Sequence, residues 1–257
     1  MDFFGYPIWV VPMVCVGVFC ASFMDAIGGG GGIISLPTYL LAGLPMHYAL
    51  GTNKLSSCIG TAVSTFRYVK NGFVDWALAI PSVAFALVGA HLGTKLQIAV
   101  DERYLKYLLL IVLPVVAFVM LKQKKFPEEK GQINPWLQRA IVWGASFVVG
   151  GYDGFYGPGT GTFLLLIFCY CAKLDVRTSS GNVKLVNLAS NVGALATSLA
   201  AGKVLIPLVM ADLYDYGVVL QDMNVVIFKS IQLVLCAIAS LSFGVASAIF
   251  ASKAGTG

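Results

Sequence analysis

Charged residues are scarce in this sequence: Asp, Glu, Lys and Arg make up 11% of its 257 residues, against 58% hydrophobic residues. Soluble domains carry about 25% charged residues, so the composition excludes an ordinary soluble domain. The mean hydropathy is +0.83, and several apolar stretches reach the roughly 17–25 residues that a bilayer-spanning helix needs. The longest polar stretch, residues 122–134, is long enough only for a loop. The sequence therefore predicts an all-α polytopic membrane protein.

Histidine is nearly absent as well. The chain has only His47 and His91, and no Ser or Cys is placed with either of them as a nucleophile beside its base. No G-x-x-x-x-G-K-[ST] motif occurs, so the chain alone is not an ATPase. The six cysteines lie inside or beside apolar segments, without convincing metal-ligand spacing. The net charge of +5 reports loop orientation in a membrane protein rather than nucleic-acid binding. We therefore expect no enzyme, cofactor, metal site or nucleic-acid partner.

The sequence does contain an internal repeat. The stretch "DAIGGGGGIISLP" begins at Asp25, and "DGFYGPGTGTFLL" begins at Asp153, 128 residues later. Downstream, "LGTNKLSS" matches "SGNVKLVN" with an offset of 130, which places Lys54 on Lys184. An acid, a Gly-rich bend and a lysine thus recur in the same order at nearly constant spacing. The predicted organisation is repeat 1 (1–121), a cytoplasmic linker loop (122–135) and repeat 2 (136–257).

The two repeats are predicted to be inverted. Each unit holds five apolar segments, of which the second (33–44 and 160–172) is only about a dozen residues long. If these short segments cross the membrane, the repeats are inverted; if they are re-entrant, the repeats are parallel. Leaving aside Lys54 and Lys184, the inverted arrangement with an outside N-terminus places ten of fifteen basic residues inside, against nine for the better parallel one. The positive-inside rule therefore favours inverted repeats, with about 8–10 membrane segments that include short or broken helices.

The glycine runs predict breaks in two of these helices. Glycine costs roughly 0.8–1 kcal/mol against alanine in a helix, and the second copy carries "GPGTG" where the first has five glycines. Non-helical backbone at membrane depth survives only where it is buried in protein or lines a wet cavity. Two broken helices at corresponding positions of two repeats indicate a transporter's substrate site. A helix that restarts after a break offers free N–H groups and a positive dipole end, which suit an anion.

Lys54 and Lys184 each lie a few residues into the third segment of their unit. A cation near the middle of a bilayer helix costs on the order of 2.5–3.5 kcal/mol, so each lysine should have a partner or face water. Asp25 and Asp153 are the candidate partners. Cations, polar donors and helix N-termini together suit a small oxyanion and suit a metal cation poorly.

Small hydroxyl and amide side chains surround both lysines: Thr52, Asn53, Ser56 and Ser57 in the first copy, and Asn182, Asn187, Ser190 and Asn191 in the second. The residues predicted to bind substrate are Gly29, Gly30, Gly31, Thr52, Asn53, Lys54, Gly159, Thr160, Gly161, Asn182, Lys184, Asn187, Ser190 and Asn191.

Each feature also has a plainer interpretation. Glycines can simply let membrane helices pack closely, and lysines can be anchors that reach the interface. Asp25 and Asp153 are candidates for proton coupling, but a role as salt-bridge or capping residues is the more favoured interpretation.

These motifs resemble those of the TauE/SafE family of sulfite-exporter-like membrane permeases. The similarity covers about residues 8–207, and its specific parts are "GPGTGTF" and "KLVNLASN". The resemblance implies a polytopic inner-membrane transporter of small, often sulfur-containing anions such as sulfite or organosulfonates, while related members are linked to other organic anions. Beyond about residue 207 the family pattern is lost: "MADLYDYGVVLQDMN" stands where a glycine-rich motif and basic residues are expected. Repeat 2 is therefore atypical in its last part.

Taken together, the sequence predicts a multi-pass secondary transporter of a small oxyanion, surrounded by lipid in a bacterial-type inner membrane. Its site is expected between the repeats, where the breaks at 28–32 and 157–161 face Lys54 and Lys184. Rocking of one repeat against the other would expose this site alternately, and coupling to protons or sodium is open. The alternatives are a passive anion channel and a transporter of another small organic anion.

Overall fold

The computed structural model describes residues 31–121, 126–127 and 129–204, together with 2–3, 6–7, 13, 16–17 and 19–21. Three predicted site residues (Asp25, Gly29 and Gly30) and the atypical segment 208–257 lie outside the described residues.

The described chain is helical, as its composition predicts. Its long elements are α1 (Gly32–Leu41), α2 (Met46–Lys70), α3 (Trp76–Ala99), α4 (Glu102–Leu121), α5 (Pro135–Phe155), α6 (Thr160–Leu166) and α7 (Val176–Ala200). A π-helical turn, Ile167–Cys171, continues α6. Near the N-terminus, β1 (Asp2–Phe3) pairs antiparallel with β2 (Tyr6–Pro7).

Polar caps set the beginnings of three long helices. Asp75, Asn134 and Asp175 precede α3, α5 and α7, and their side-chain oxygens accept backbone N–H groups of the first turn at 2.9–3.4 Å. Such caps satisfy N–H groups that have no partner within the helix. The positions at which these three helices begin are therefore determined by the local sequence.

Two glycines with positive φ interrupt the helical conformation between α5 and α6. Gly157 has φ +99° and Gly159 has φ +81°, conformations that glycine adopts without the steric cost other residues incur. Tyr152 holds the break in place, because its hydroxyl donates to the Pro158 carbonyl at 2.7 Å. The helix stops and restarts here, as the glycines predict.

The two halves of the described chain share the spacing of their helices. Helices α2 and α7 both have 25 residues and begin 130 residues apart, at Met46 and Val176. Helices α1 and α6 begin 128 residues apart, at Gly32 and Thr160. The offsets of the sequence repeat are therefore also the offsets of the helices.

Helices α2 and α7 lie side by side and run antiparallel. A Cβ on Gly51, early in α2, would collide with the Lys203 carbonyl just beyond the end of α7. A Cβ on Gly181, early in α7, would collide with the Phe73 carbonyl just beyond the end of α2. Gly51 is equivalent to Gly181 in the sequence repeat, and Phe73 is equivalent to Lys203. Each glycine thus contacts the residue equivalent to the one beyond its own helix, as a two-fold axis between α2 and α7 would require.

Helices α3 and α5 form the most extensive helix interface among the described elements. Their backbones touch at small residues: a Cβ on Gly89 would meet the Phe147 carbonyl, and a Cβ on Gly154 would meet the Ala90 carbonyl. Close approach through small residues is typical of membrane helices. The plainer interpretation of glycine, helix packing, therefore holds in this interface.

The described helices place large apolar side chains outward. Exposed examples on α3 and α4 are Ile80, Phe85, Val88, Leu92, Leu96, Leu110, Ile111, Val115 and Phe118. Many polar side chains are buried instead, including those of Asn53, Thr61 and Asn191. An apolar surface of this extent marks a membrane or protein contact. Within the described residues, α3 is the one helix whose length and composition suffice to cross a membrane; α1 and α6 with its π-turn are shorter apolar helices.

Candidate functional site

A buried ion pair lies at the centre of the described helices. Lys54 Nζ on α2 is 2.8 Å from Asp153 Oδ1 on α5, and the two side chains are only 5% and 3% exposed. Removing one member of such a pair would leave an uncompensated buried charge. Asp153, one of the two predicted partners of the lysines, thus contacts Lys54, and it belongs to the predicted repeat 2.

Three further side chains complete the surroundings of this pair. The Thr160 hydroxyl donates to Asp153 Oδ1 at 2.8 Å, and the Ser190 hydroxyl donates to Oδ2 at 2.6 Å. Lys54 also donates to Asn191 Oδ1 at 3.2 Å. Residues of α2, α5, α6 and α7 therefore meet at one point, although they are far apart in the sequence.

A small polar cavity adjoins the ion pair. It is lined by Gly32, Asn53, Lys54, Ser57, Asp153, Gly157, Thr160, Gly161, Asn187 and Asn191. The space open to the centre of a water molecule is about 20 Å³, enough for about one or two waters. Every described lining residue is a glycine or carries a polar side chain, so the cavity suits a polar guest.

The two glycine-rich segments approach each other at this cavity. A Cβ on Gly32, the first residue of α1, would lie 3.4 Å from Pro158 Cα in the break before α6. A Cβ on Gly157 would lie 3.0 Å from Lys54 Nζ and 3.2 Å from Asp153 Oδ1. The absent side chain at Gly157 therefore leaves space directly beside the buried charges.

The structure brings six of the fourteen predicted substrate-binding residues to the cavity wall, together with Asp153. They are Asn53, Lys54, Thr160, Gly161, Asn187 and Asn191. Ser190 lies behind the wall and contacts Asp153. Gly31 and Gly159 are the N-caps of α1 and α6, adjacent to lining residues.

Lys184 lies apart from this cavity. Its side chain is buried, and its carbonyl accepts a hydrogen bond from the Thr65 hydroxyl at 3.0 Å. Thr65 follows Lys54 by eleven residues in α2, which corresponds to about 16 Å along the helix axis. Antiparallel packing of α2 and α7 therefore separates the two lysines, which the sequence alone places at one site.

Thr52 and Asn182 occupy equivalent repeat positions and also lie outside the lining. Thr52 Oγ1 and Asn182 Oδ1 are buried and have no hydrogen-bond partner among the described residues. The Asn182 amide nitrogen donates to the Thr178 carbonyl at 2.9 Å. These two side chains belong to the α2 and α7 helices rather than to the cavity.

Ser35 is a site residue that sequence reasoning missed. Its hydroxyl lies 2.6 Å from Asn53 Oδ1 and orients that amide beside the cavity. The contact joins α1 to α2, so no local spacing signals it. The sequence does carry a signal for three other lining residues. Ser57 lies one turn beyond Asn53 on the same helix, and Gly32 and Gly157 belong to the two glycine-rich runs.

Comparison with known proteins places the chain in a family. The sequence profile of the family "Sulfite exporter TauE/SafE" matches residues 14–220. The probable membrane transporter protein ORF9 of Sinorhizobium sp is 35% identical over 192 residues, which cover 74% of this chain and 72% of that protein. The probable membrane transporter protein YfcA of Escherichia coli K12 is 32% identical over 186 residues, covering 72% and 68%.

A probable membrane transporter protein of Haemophilus influenzae is 32% identical over 198 residues, covering 75% of each chain. No solved structure matches the chain significantly. The outward apolar surface, the polar cavity and these relatives define a membrane transport protein. The chain belongs to the TauE/SafE family of membrane transporters, which confirms the resemblance seen in its motifs.

Proposed function

We propose that the protein is a multi-pass secondary transporter of a bacterial-type inner membrane that carries a small oxyanion, in particular a sulfur-containing anion such as sulfite or an organosulfonate. The observation that carries the proposal is the buried cation Lys54 in a cavity lined by glycines and polar side chains.

The composition of the cavity wall favours an oxyanion over a metal cation. Lys54 supplies a positive charge, the lining asparagines supply amide donors, and Ser57 and Thr160 supply hydroxyls. Charge-assisted hydrogen bonds of this kind are roughly twice as strong as neutral ones. The first residues of α1 and α6, Gly32 and Thr160, add the N-terminal ends of two helices. Asp153, the one carboxylate among the described lining residues, is already engaged by Lys54.

The helix directions support an inverted repeat. Because α2 and α7 are equivalent in the sequence repeat and run antiparallel, two units of this kind face opposite sides of the membrane. The exchanged contacts of Gly51 with Lys203 and of Gly181 with Phe73 follow the same relation. Inverted repeats with broken helices and a site at their interface are the architecture of alternating-access carriers.

The small size of the cavity is consistent with such a carrier. Space for about one or two waters is less than sulfite or a sulfonate requires. Anion binding therefore needs the two units to separate around Lys54 and Asp153, which belong to different units. Rocking of one unit against the other would supply this movement.

Transport by the purified full-length protein in liposomes tests the proposal. Uptake of labelled sulfite and labelled methanesulfonate is compared for wild type, Lys54→Met and Lys70→Met, the last changing an exposed lysine at the end of the same helix. Lys54→Met should lose uptake by roughly tenfold or more, because a hydrogen bond to a charged group is worth about 1.5–3 kcal/mol. Lys70→Met should transport as wild type does.

Two results would contradict the proposal. Undiminished transport by Lys54→Met would show that the anion passes elsewhere. Uptake that only equilibrates the anion, with no accumulation under any ion gradient, would indicate a passive channel instead of a carrier.

A further inference from the structure

We propose that the Asp153 carboxylate takes the place of the transported anion in the empty carrier, and that one proton and one monovalent anion cross the membrane together. This inference rests on the proposed function, since it assigns the charge of the substrate and the coupling ion of the same site.

Asp153 already has the contacts that a bound oxyanion would need. Its Oδ1 is 2.8 Å from Lys54 Nζ and from the Thr160 hydroxyl, and its Oδ2 is 2.6 Å from the Ser190 hydroxyl. These donors come from α2, α6 and α7. A transported anion can therefore take over these same contacts only when Asp153 gives them up.

A proton on Asp153 brings about this release. The protonated carboxyl is neutral and becomes a hydrogen-bond donor, so the attraction between opposite charges is lost and the Lys54 ammonium group can pair with the substrate anion instead. The proton bonds to a carboxylate oxygen on loading and leaves from it on release. No other covalent bond changes.

Charge balance makes the coupling strict. The empty site with Lys54 and ionised Asp153 is neutral, and so is the loaded site with Lys54, protonated Asp153 and one monovalent anion. Protonation without an anion leaves a net positive charge, and an anion without protonation leaves a net negative one. An uncompensated charge in a buried site is costly, so only the two neutral forms can reorient across the membrane.

The surroundings of Asp153 supply no other charge of this kind among the described residues. On α2 the titratable groups close enough to interact with it are Lys54 and Cys58. On α5 its neighbour Tyr152 also interacts with it. Helices α6 and α7 face the carboxylate with the hydroxyls of Thr160 and Ser190. Within the described part of the chain, Lys54 and Asp153 therefore decide the charge of the site.

The same balance selects the charge of the substrate. A monovalent anion such as bisulfite or a sulfonate neutralises Lys54 once Asp153 is protonated, whereas sulfate would leave one negative charge in excess. Space for the entering oxygens lies beside the pair, where Gly157 has no side chain.

The test uses wild-type proteoliposomes with an imposed pH gradient and a membrane voltage clamped by potassium and valinomycin. The probes are labelled methanesulfonate, which stays ionised at every working pH, sulfite at acidic pH, where bisulfite dominates, and sulfate. At steady state, a monovalent probe should accumulate on the alkaline side by about tenfold per pH unit. A change of the clamped voltage should have no effect, and sulfate should not accumulate.

Asp153→Asn separates coupling from binding, because an amide resembles the protonated carboxyl. This variant should exchange external for internal methanesulfonate but lose accumulation under the pH gradient, since its empty form carries an unpaired Lys54. The control is Asp101→Asn, which makes the same change at an exposed residue preceding α4 and should keep the wild-type slope.

The outcomes distinguish the two proposals. If wild type transports none of the three probes, the proposed function fails and the coupling fails with it. If wild type accumulates a monovalent anion in response to sodium instead of the pH gradient, or accumulates sulfate equally, the proposed function stands and the coupling inference is overturned. Uptake that only equilibrates the anion overturns both. Retention of pH-driven accumulation by Asp153→Asn would overturn the coupling inference as well.

Discussion

Lys54 and Asp153 form a buried ion pair, 2.8 Å long, that joins α2 in the first half of the chain to α5 in the second half. The pair ties α2 to α5 at the point where α6 and α7 also contribute hydroxyl and amide groups. The pair is therefore both a structural link between the two halves of the chain and the chemical centre of the cavity.

The first prediction concerns the stability of this pair. Lys54→Met should lower the free energy of unfolding by about 3–5 kcal/mol, because Asp153 is left buried without its counter-charge. The double variant Lys54→Met/Asp153→Leu should recover most of that loss, since neither charge is then buried. Chemical unfolding in detergent micelles measures both, and Lys70→Met controls for loss of an exposed lysine. Equal stability of Lys54→Met and wild type would refute the pair as a structural link.

The second prediction separates the effect of backbone strain from the effect of filling the space beside the ion pair. Gly157→Ala and Gly72→Ala both place alanine at positive φ, +99° and +73°, and each should lose about 1–2 kcal/mol of stability. Only the Gly157 methyl group meets Lys54 and Asp153, whereas nothing lies within 4 Å of a Cβ on Gly72.

Anion binding by these two variants should therefore differ. Sulfite should stabilise Gly72→Ala in a thermal-shift assay as it stabilises wild type, and it should fail to stabilise Gly157→Ala. An equal response of the two variants would mean that the space beside Gly157 is not used by the anion.

The third prediction concerns the membrane orientation of the repeats. Asn71 and Ala201 directly follow α2 and α7, occupy equivalent positions and are exposed. Because these helices run antiparallel, a cysteine at one position should face the inside and a cysteine at the other the outside. In a cysteine-free background, a membrane-impermeant maleimide should label Ala201→Cys in intact cells and Asn71→Cys only after permeabilisation. Labelling of both from one side would indicate parallel repeats.

Local signals in the sequence account for much of this protein. The membrane class follows from the scarcity of charge, since burying ionised groups in a bilayer is costly. The break between α5 and α6 follows from Gly157 and Gly159, which adopt the left-handed conformation without steric cost. The equivalence of α2 and α7 follows from motifs with an offset of 130. Each of these depends on composition or on residues close together in the chain.

Only the tertiary structure decided which of the predicted residues meet. A repeat of sequence is compatible with parallel or antiparallel helices, and the spacing of Lys54 and Lys184 is the same in both. The antiparallel packing of α2 and α7 puts these lysines about 16 Å apart along the helix axis and leaves Lys54 to pair with Asp153. Contacts between helices depend on where their backbones cross, and here the crossings are set by glycines such as Gly51 and Gly181, whose missing side chains let neighbouring carbonyls approach.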